Sequence, residues 1–173
     1  MHTIGIDIGG TNTDVGFVNT SGEVVLRRNL PTAQYSDAEK YADDLAKLIS
    51  EMKNELGVEV KGIGIGAPNG NFYTGCIEDA PNLNMHGNIF LAKMLEERLH
   101  LPCVLTNDAN AAAYGEMVYG GAKGMKHFIM FTLGTGVGSG IIVDGKLLYG
   151  HDGFAGELGH TIIVPNGRQC KCG

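Results

Sequence analysis

Positive charge is scarce and dispersed in this chain. Lysine and arginine number 13 against 19 aspartate and glutamate residues, a formal net charge of −6, and no basic stripe forms. Affinity for nucleic acid depends on clustered cations that displace counterions, so no nucleic-acid partner is expected. Long apolar runs are missing too. No stretch approaches the ~18 residues that a membrane helix needs, so no membrane partner is expected. Asp7 and the glycines behind it break the one short apolar run near the start, which argues against a secretory leader and predicts a cytoplasmic protein. Cysteine is sparse, with four residues. Cys76 and Cys103 stand alone in apolar or turn settings and read as reduced, buried thiols.

Glycine is abundant by contrast, at 27 of 173 residues, about twice its usual ~7% share. The glycines are aperiodic and sit among hydrophobic runs, which excludes a flexible linker or collagen. They point to backbone passing close to ligands and to turns that need positive φ. An apolar fraction of 43% permits a sizeable core, and 173 residues suffice for one domain plus part of a second.

The pattern along the chain is α/β. "TIGIDI" (3–8), "DVGFVN" (14–19) and "EVVLRRN" (23–29) read as three strands joined by "GGTN" and "TSG", an antiparallel meander. A helix follows, with Ser36 and Glu39 as an expected capping box, apolar residues at helical spacing from Ala38 to Leu56, and Gly57 as its stop. "KGIGIGAP" (61–68) is a buried strand, residues 89–100 a second helix, "PCVLTN" (102–107) a strand, and "DANAAAYGEMVYG" (108–120) a junction leading into a third helix. "HFIMFTLG" (127–134) and "SGIIVDGKLLYG" (139–150) repeat the pattern of strand, glycine turn and strand.

That repetition extends to single residues. Gly10 aligns with Gly134, Thr11 with Thr135 and Gly16 with Gly140, all at an offset of 124, and Gly22 matches Gly145 after a one-residue gap. Two related subdomains are expected, 1–120 and 121–173, each opening with the same hairpin, the second holding only the start of its fold.

The motifs carry chemistry. A Gly-Thr turn offers consecutive backbone N–H groups and a hydroxyl, a nest for phosphate, and two such turns could clamp a nucleotide. Asp7, just before the first turn, either caps the turn or reaches a phosphate-bound Mg²⁺ through water. Asn107 and Asp108 fall where a strand gives way to a helix, the place where α/β proteins hold ligands. Asp108 is either the helix N-cap or the base of a phosphoryl transfer. Asn107 suits a polyol, and the small residues from Ala109 to Ala113 let the helix approach the sheet. Glu157 and His160, three apart, would share a face and hold sugar hydroxyls or a metal. His160, Cys170 and Cys172 are three of the four ligands of a tetrahedral zinc site.

Taken together, "DIGGTNTDVGFV", "GIGAPNG", "PNL", "NDANAAAYGE", "TLGTGVGSGII", "GELGH" and "CKCG" resemble the ROK family of sugar kinases, with bacterial glucokinases as its nearest branch. The resemblance implies an actin-like and hexokinase-like (ribonuclease H-like) α/β domain with a mixed five-stranded sheet, and a cleft between it and the start of a second such domain. It implies ATP-dependent phosphorylation of a hexose, glucose above all, with Asp108 as general base. Asn82, Asn107, Glu157 and His160 would bind the sugar. Asp7, Gly9, Gly10, Thr11 and Asn12 would form one phosphate loop, and Gly134, Thr135, Gly136, Val137 and Gly138 the other. His160, Cys170 and Cys172 would be ligands of a structural Zn²⁺. Dimers and tetramers are common in the family, so a homo-oligomer, most simply a dimer, is expected. The segments "GAPNG" and "NLNMHG" depart from its usual pattern. A sugar-sensing regulator of the same family, lacking a DNA-binding segment, and an actin- or chaperone-like ATPase are the competing classes. "GELGH", the cysteine pair and the intact Asn107–Asp108 pair favour the kinase. With three zinc ligands rather than four, the Cys170–Gly173 tail is expected to hold no tight metal by itself; metal analysis returning one firmly bound zinc per chain would contradict this.

Overall fold

The computed structural model describes residues 1–134 and 136–170 of the chain. Two compact units divide between Ala111 and Ala112.

The first unit is organised by the alternation in strand β1 (His2–Ile8). Ile4, Ile6 and Ile8 are buried, while Thr3, Gly5 and Asp7 between them face outward. Side chains of a strand point alternately to its two faces, so β1 commits one face to a core. Strands β2 (Thr13–Asn19) and β3 (Val24–Leu30) continue it as the expected antiparallel meander. Helix α1 (Ala38–Leu56) leads to β4 (Val60–Ala67), which runs parallel to β1. Three short strands follow, β5 (Gly70–Asn71), β6 (Cys76–Glu78) and β7 (Asn88–Ile89), forming a small antiparallel sheet in the order β5-β6-β7. Helix α2 (Leu91–Leu99) then delivers β8 (Cys103–Asn107), parallel to β4. The main sheet has the order β3-β2-β1-β4-β8 and is the mixed five-stranded sheet expected from the sequence.

Parallel neighbours need a crossover, and α1 and α2 supply both. Tyr41, Leu45, Ile49 and Met52 of α1 and Leu91 and Leu95 of α2 are at most 1% exposed and close the core over the isoleucine face. Each such side chain contributes roughly 1.5–3 kcal/mol. The ion pairs that tie the helices together, Arg98 to Glu39 at 2.6 Å and to Asp43 at 2.7 Å, lie at the surface and are worth ~0–1 kcal/mol each. Packing therefore sets the layer and the charges trim it.

The start of α1 corrects the expected capping box. Asp37, not Ser36, is the N-cap: its backbone is extended and Oδ1 accepts from the N–H groups of Glu39 (2.9 Å) and Lys40 (3.4 Å). With the cap one residue later, Glu39 no longer sits three positions beyond it, and its carboxylate serves Arg98 instead. Gly57 closes the helix in the left-handed region (φ 62°), as expected. The second helix is shorter than expected because Asn88–Ile89 belongs to β7.

Helix α3 (Asp108–Val118) spans the division between the units. In the second unit, β9 (Phe128–Leu133), β10 (Val137–Val143) and β11 (Lys146–Leu147) form an antiparallel sheet in the order β11-β10-β9. The β9–β10 hairpin mirrors β1–β2 with one change. Ile8 pairs with Thr13, whereas Leu133 pairs with Val137, so the second glycine turn is one residue tighter. Gly22 and Gly145 both take positive φ, 86° and 72°, in the turns after the matched strands. Among the described residues, no helix is long and apolar enough to cross a membrane.

Asp37→Ala is expected to lower stability by about 1 kcal/mol, and Ser36→Ala by less than ~0.5 kcal/mol. Urea unfolding of the two variants checks the order; a larger loss for Ser36→Ala would restore the capping box.

Candidate active site

On the outer face of the main sheet, register lines up glycines and then carboxylates. Gly5 lies opposite Gly16 on β2 and Gly64 on β4. One step further along, Asp7 lies opposite Asp14 and Gly66, and Gly66 opposite Thr106. Gly66 is where α3 comes down on the sheet. A Cβ there would sit 3.2 Å from Ala111 Cβ and 3.5 Å from Asp108 Cα, so even a methyl would make the first turn of α3 give by a few tenths of an ångström. The glycine lets Asp108, at the head of α3, approach Asp7 across β4.

The charges register this approach. Partial burial pushes the Asp7 carboxyl above its ordinary value, with the negative charges of Asp108 and then Asp14 adding to it and Arg27 opposing. Arg27 is engaged with Asp14 at 3.0 Å, and that hydrogen-bonded pairing holds Asp14 below the usual range. Asp7 is thus left with a like-charged neighbour and only distant compensation. Sequence reasoning missed Asp14 and Arg27; pairing "DVGFVN" against "TIGIDI" in register would have found Asp14.

At the head of α3, the Ala109 N–H donates to Asn107 Oδ1 and to Asp108 Oδ1, both at 2.8 Å. Asn107 precedes the first helical residue and supplies the cap, while Asp108 stays exposed. Next to them, Thr106 Oγ1 and Asn110 Oδ1 are buried without a partner among the described residues. An unmet buried polar atom costs roughly 1–3 kcal/mol, a penalty that ordinary packing would avoid.

The Gly9–Asn12 turn is closed by the Gly9 N–H donating to the Asn12 carbonyl at 2.9 Å. Gly10 must be glycine, because a Cβ there would lie 2.5 Å from the Asn82 carbonyl oxygen. This contact brings Asn82 alongside the turn. From behind, a fully buried hydroxyl cluster steadies the start of β2: Thr13 Oγ1 is 2.7 Å from Thr32 Oγ1 and 2.6 Å from Tyr41 Oη. The first unit therefore gathers Asp7, Gly9, Gly10, Thr11, Asn12, Asn82, Asn107 and Asp108 at the carboxyl ends of β1 and β8 and the loops beside them.

The second unit holds the other expected residues. Its turn is closed by the Gly134 N–H donating to the Gly136 carbonyl at 3.0 Å, and Gly138 is paired with Thr132 in the hairpin. Thr135 lies outside the described residues. The segment with Glu157 and His160 packs on β10: the Ser139 hydroxyl donates to the Gly156 carbonyl, and a side chain at Gly159 would collide with the Val137 carbonyl. Glu157 precedes a short 3-10 turn, Leu158–His160, and His160 Nε2 comes within 4.0 Å of Glu157 Oε2, the shared face expected from their spacing. Of the zinc set, His160 and Cys170 are exposed and Cys172 lies outside the described residues.

Residues 3–173 match the ROK family. The chain belongs to that family. It is 41% identical over 172 residues to the glucokinase of Streptomyces coelicolor, covering 99% of this chain and 53% of that protein. It is 36% identical over 181 residues to the N-acetylmannosamine kinase of Escherichia coli, covering 100% of this chain and 58% of that protein. A crystal structure of a ROK family glucokinase from Streptomyces griseus, in complex with glucose and AMPPNP, superposes with a TM-score of 0.84 at 37% identity, over 100% of this chain and 54% of that one. The chain spans about half the length of the curated relatives it matches.

The sequence motifs raise two metals, a divalent cation carried with a nucleotide and a zinc. A divalent cation that travels with a nucleotide fits the residues present, since Asp7 sits among negative charges that a cation would offset. No group of three His, Cys, Asp or Glu residues able to hold a metal ion by protein ligands alone occurs among the described residues, and Cys172 of the expected zinc set lies outside them.

Asp7 binds its proton more tightly in the fold than in the unfolded chain. Such a group costs stability as pH rises from its unfolded value, ~3.9, through the folded one, and the full penalty stands above both. Asp7→Asn is therefore expected to raise Tm at pH 7, with the gain vanishing below pH ~3.5. A thermal scan showing Asp7→Asn less stable at pH 7 would contradict the electrostatics described.

Proposed function

We propose that the protein phosphorylates a hexose, with ATP as the donor and glucose as the acceptor. The observation that carries this is the exposed Asp108 at the head of α3, beside Asn107 and within electrostatic reach of Asp7, in a chain 41% identical to a glucokinase. A carboxylate so placed can take the proton of a sugar hydroxyl as its oxygen attacks the γ-phosphorus. The new O–P bond forms, the bond from the γ-phosphorus to the β,γ-bridging oxygen breaks, ADP leaves with that electron pair, and the proton rests on Asp108. Asn107 commits its amide oxygen to the helix and keeps its N–H donors for a hydroxyl. Asn82, Glu157 and His160 are the further sugar ligands on this reading. Backbone N–H groups of the turns Gly9–Asn12 and 134–138, other than those of Gly9 and Gly134 that close the turns, would donate to phosphate oxygens on this reading. Asp7 would orient, through water, a Mg²⁺ arriving with ATP, and that cation would supply positive charge against the phosphates. His160, Cys170 and Cys172 remain a proposal for a structural zinc site.

N-acetylmannosamine is the alternative acceptor, supported by the 36% identity to the Escherichia coli enzyme. The two readings share the chemistry and differ in the sugar.

In the protein that carries this chain, Asp108→Asn is expected to lower kcat by roughly 10²–10⁴, the range for removing a general base, with the KM for sugar nearly unchanged. Coupled ADP assays with glucose and with N-acetylmannosamine check both points. Near-normal turnover by Asp108→Asn would remove Asp108 as the base, and a higher kcat/KM for N-acetylmannosamine would reassign the sugar.

A further inference from the structure

The two loops that the proposed function assigns to different substrates touch each other. The carbonyl of Asn82, a sugar ligand on that reading, fills the space where a side chain at Gly10 would stand. The loop that carries Asn82 alternates: Leu83 and Met85 are buried at 2% and 1%, while Asn82 and Asn84 face outward. The buried pair anchors the loop to the core and turns its asparagines toward the nucleotide turn.

Asn84 adds a second, independent link. Its Nδ2 donates to the Ala33 carbonyl at 2.6 Å, and the Ala33 N–H donates to the Thr11 carbonyl at 3.2 Å. Ala33 belongs to the 3-10 turn Thr32–Gln34, whose first residue is hydrogen-bonded through its hydroxyl to Thr13. One residue thus ties the Gly9–Asn12 turn on one side and the Asn82 loop on the other, and the hydroxyl cluster with Tyr41 fixes that residue's own segment to the core. Nothing in the proposed chemistry calls for Asn84, which bonds backbone 51 positions away.

We propose that Asn84 is a positioning residue, clasping Ala33 so that the Asn82 loop and the Gly9–Asn12 turn move as one body and nucleotide and sugar binding are coupled. The coupling rests on the kinase reading; the clasp itself does not. Ordering one loop through its ligand orders the other, so each ligand tightens the other by the same factor.

Asn84→Asp tests it, being nearly isosteric but setting a carboxylate oxygen against the Ala33 carbonyl in place of a donor. Amide hydrogen exchange of the protein without ligands is the first readout. The clasp predicts exchange rising roughly fivefold, the worth of one ordinary hydrogen bond, at both residues 9–12 and residues 82–85, with β4 unchanged. Acceleration confined to 82–85, or none, would overturn the clasp. Calorimetric titration with glucose, in the presence and absence of AMPPNP, is the second readout. In the wild type, AMPPNP should tighten glucose binding, and in Asn84→Asp that factor should fall toward one. An unchanged factor would overturn the coupling. Wild-type protein binding neither ligand would count against the kinase reading and the coupling together, while the exchange data would still decide the clasp.

Discussion

Two carboxylates of like charge are held near each other at the same end of the main sheet, and the rest of the first unit makes that possible. Asp7 ends up there because the isoleucines that alternate with it are committed to the core. Asp108 ends up there because α3 starts directly after β8 and its first turn rests on Gly66. A side chain at Gly66 would crowd Ala111 and the first turn of α3. The fold accepts a raised proton affinity at Asp7 and two buried polar atoms beside Asp108 that have no partner among the described residues. Local rules are commonly broken in this way where a ligand is to be bound.

Support around this pair comes from buried contacts more than from surface charge. The Gly9–Asn12 turn exposes backbone to solvent, yet Thr13 behind it is tied to Thr32 and Tyr41 inside the core. Phosphate binding by backbone needs such a rigid mount, since the N–H groups must already point the right way when the ligand arrives. The glycine-rich composition acquires a physical meaning here. Gly10 and Gly66 make room for neighbouring backbone or for a helix, whereas Gly22 and Gly57 take positive φ in turns and caps.

Much of this was legible in the sequence. Strands β1 to β4 and β8 announce themselves by apolar alternation or short buried runs, α1 by its period and Gly57, and the repeated hairpin by the offset that links Gly10 to Gly134. The Asn107–Asp108 junction and the Glu157–His160 pair were visible as motifs. What escaped has a common cause: it depends on contacts between distant residues or on elements too short to carry a period. Strands of two or three residues, such as β5 and β7, have no alternation to read. Asp37 outcompeted Ser36 as cap by one position, a difference that backbone geometry decides. The Arg27–Asp14 pair needed the register of β2 on β3, and the Asn84–Ala33 bond needed the whole first unit folded.

The most direct test is ADP formation by the protein carrying this chain with Mg-ATP, with and without glucose. Phosphoryl transfer predicts ADP release that depends on glucose and matches, mole for mole, the glucose 6-phosphate formed. ADP release that neither glucose nor N-acetylmannosamine changes, or none at all with either sugar, would contradict it and leave Asp7 and Asp108 as a charged pair without the chemistry assigned to them.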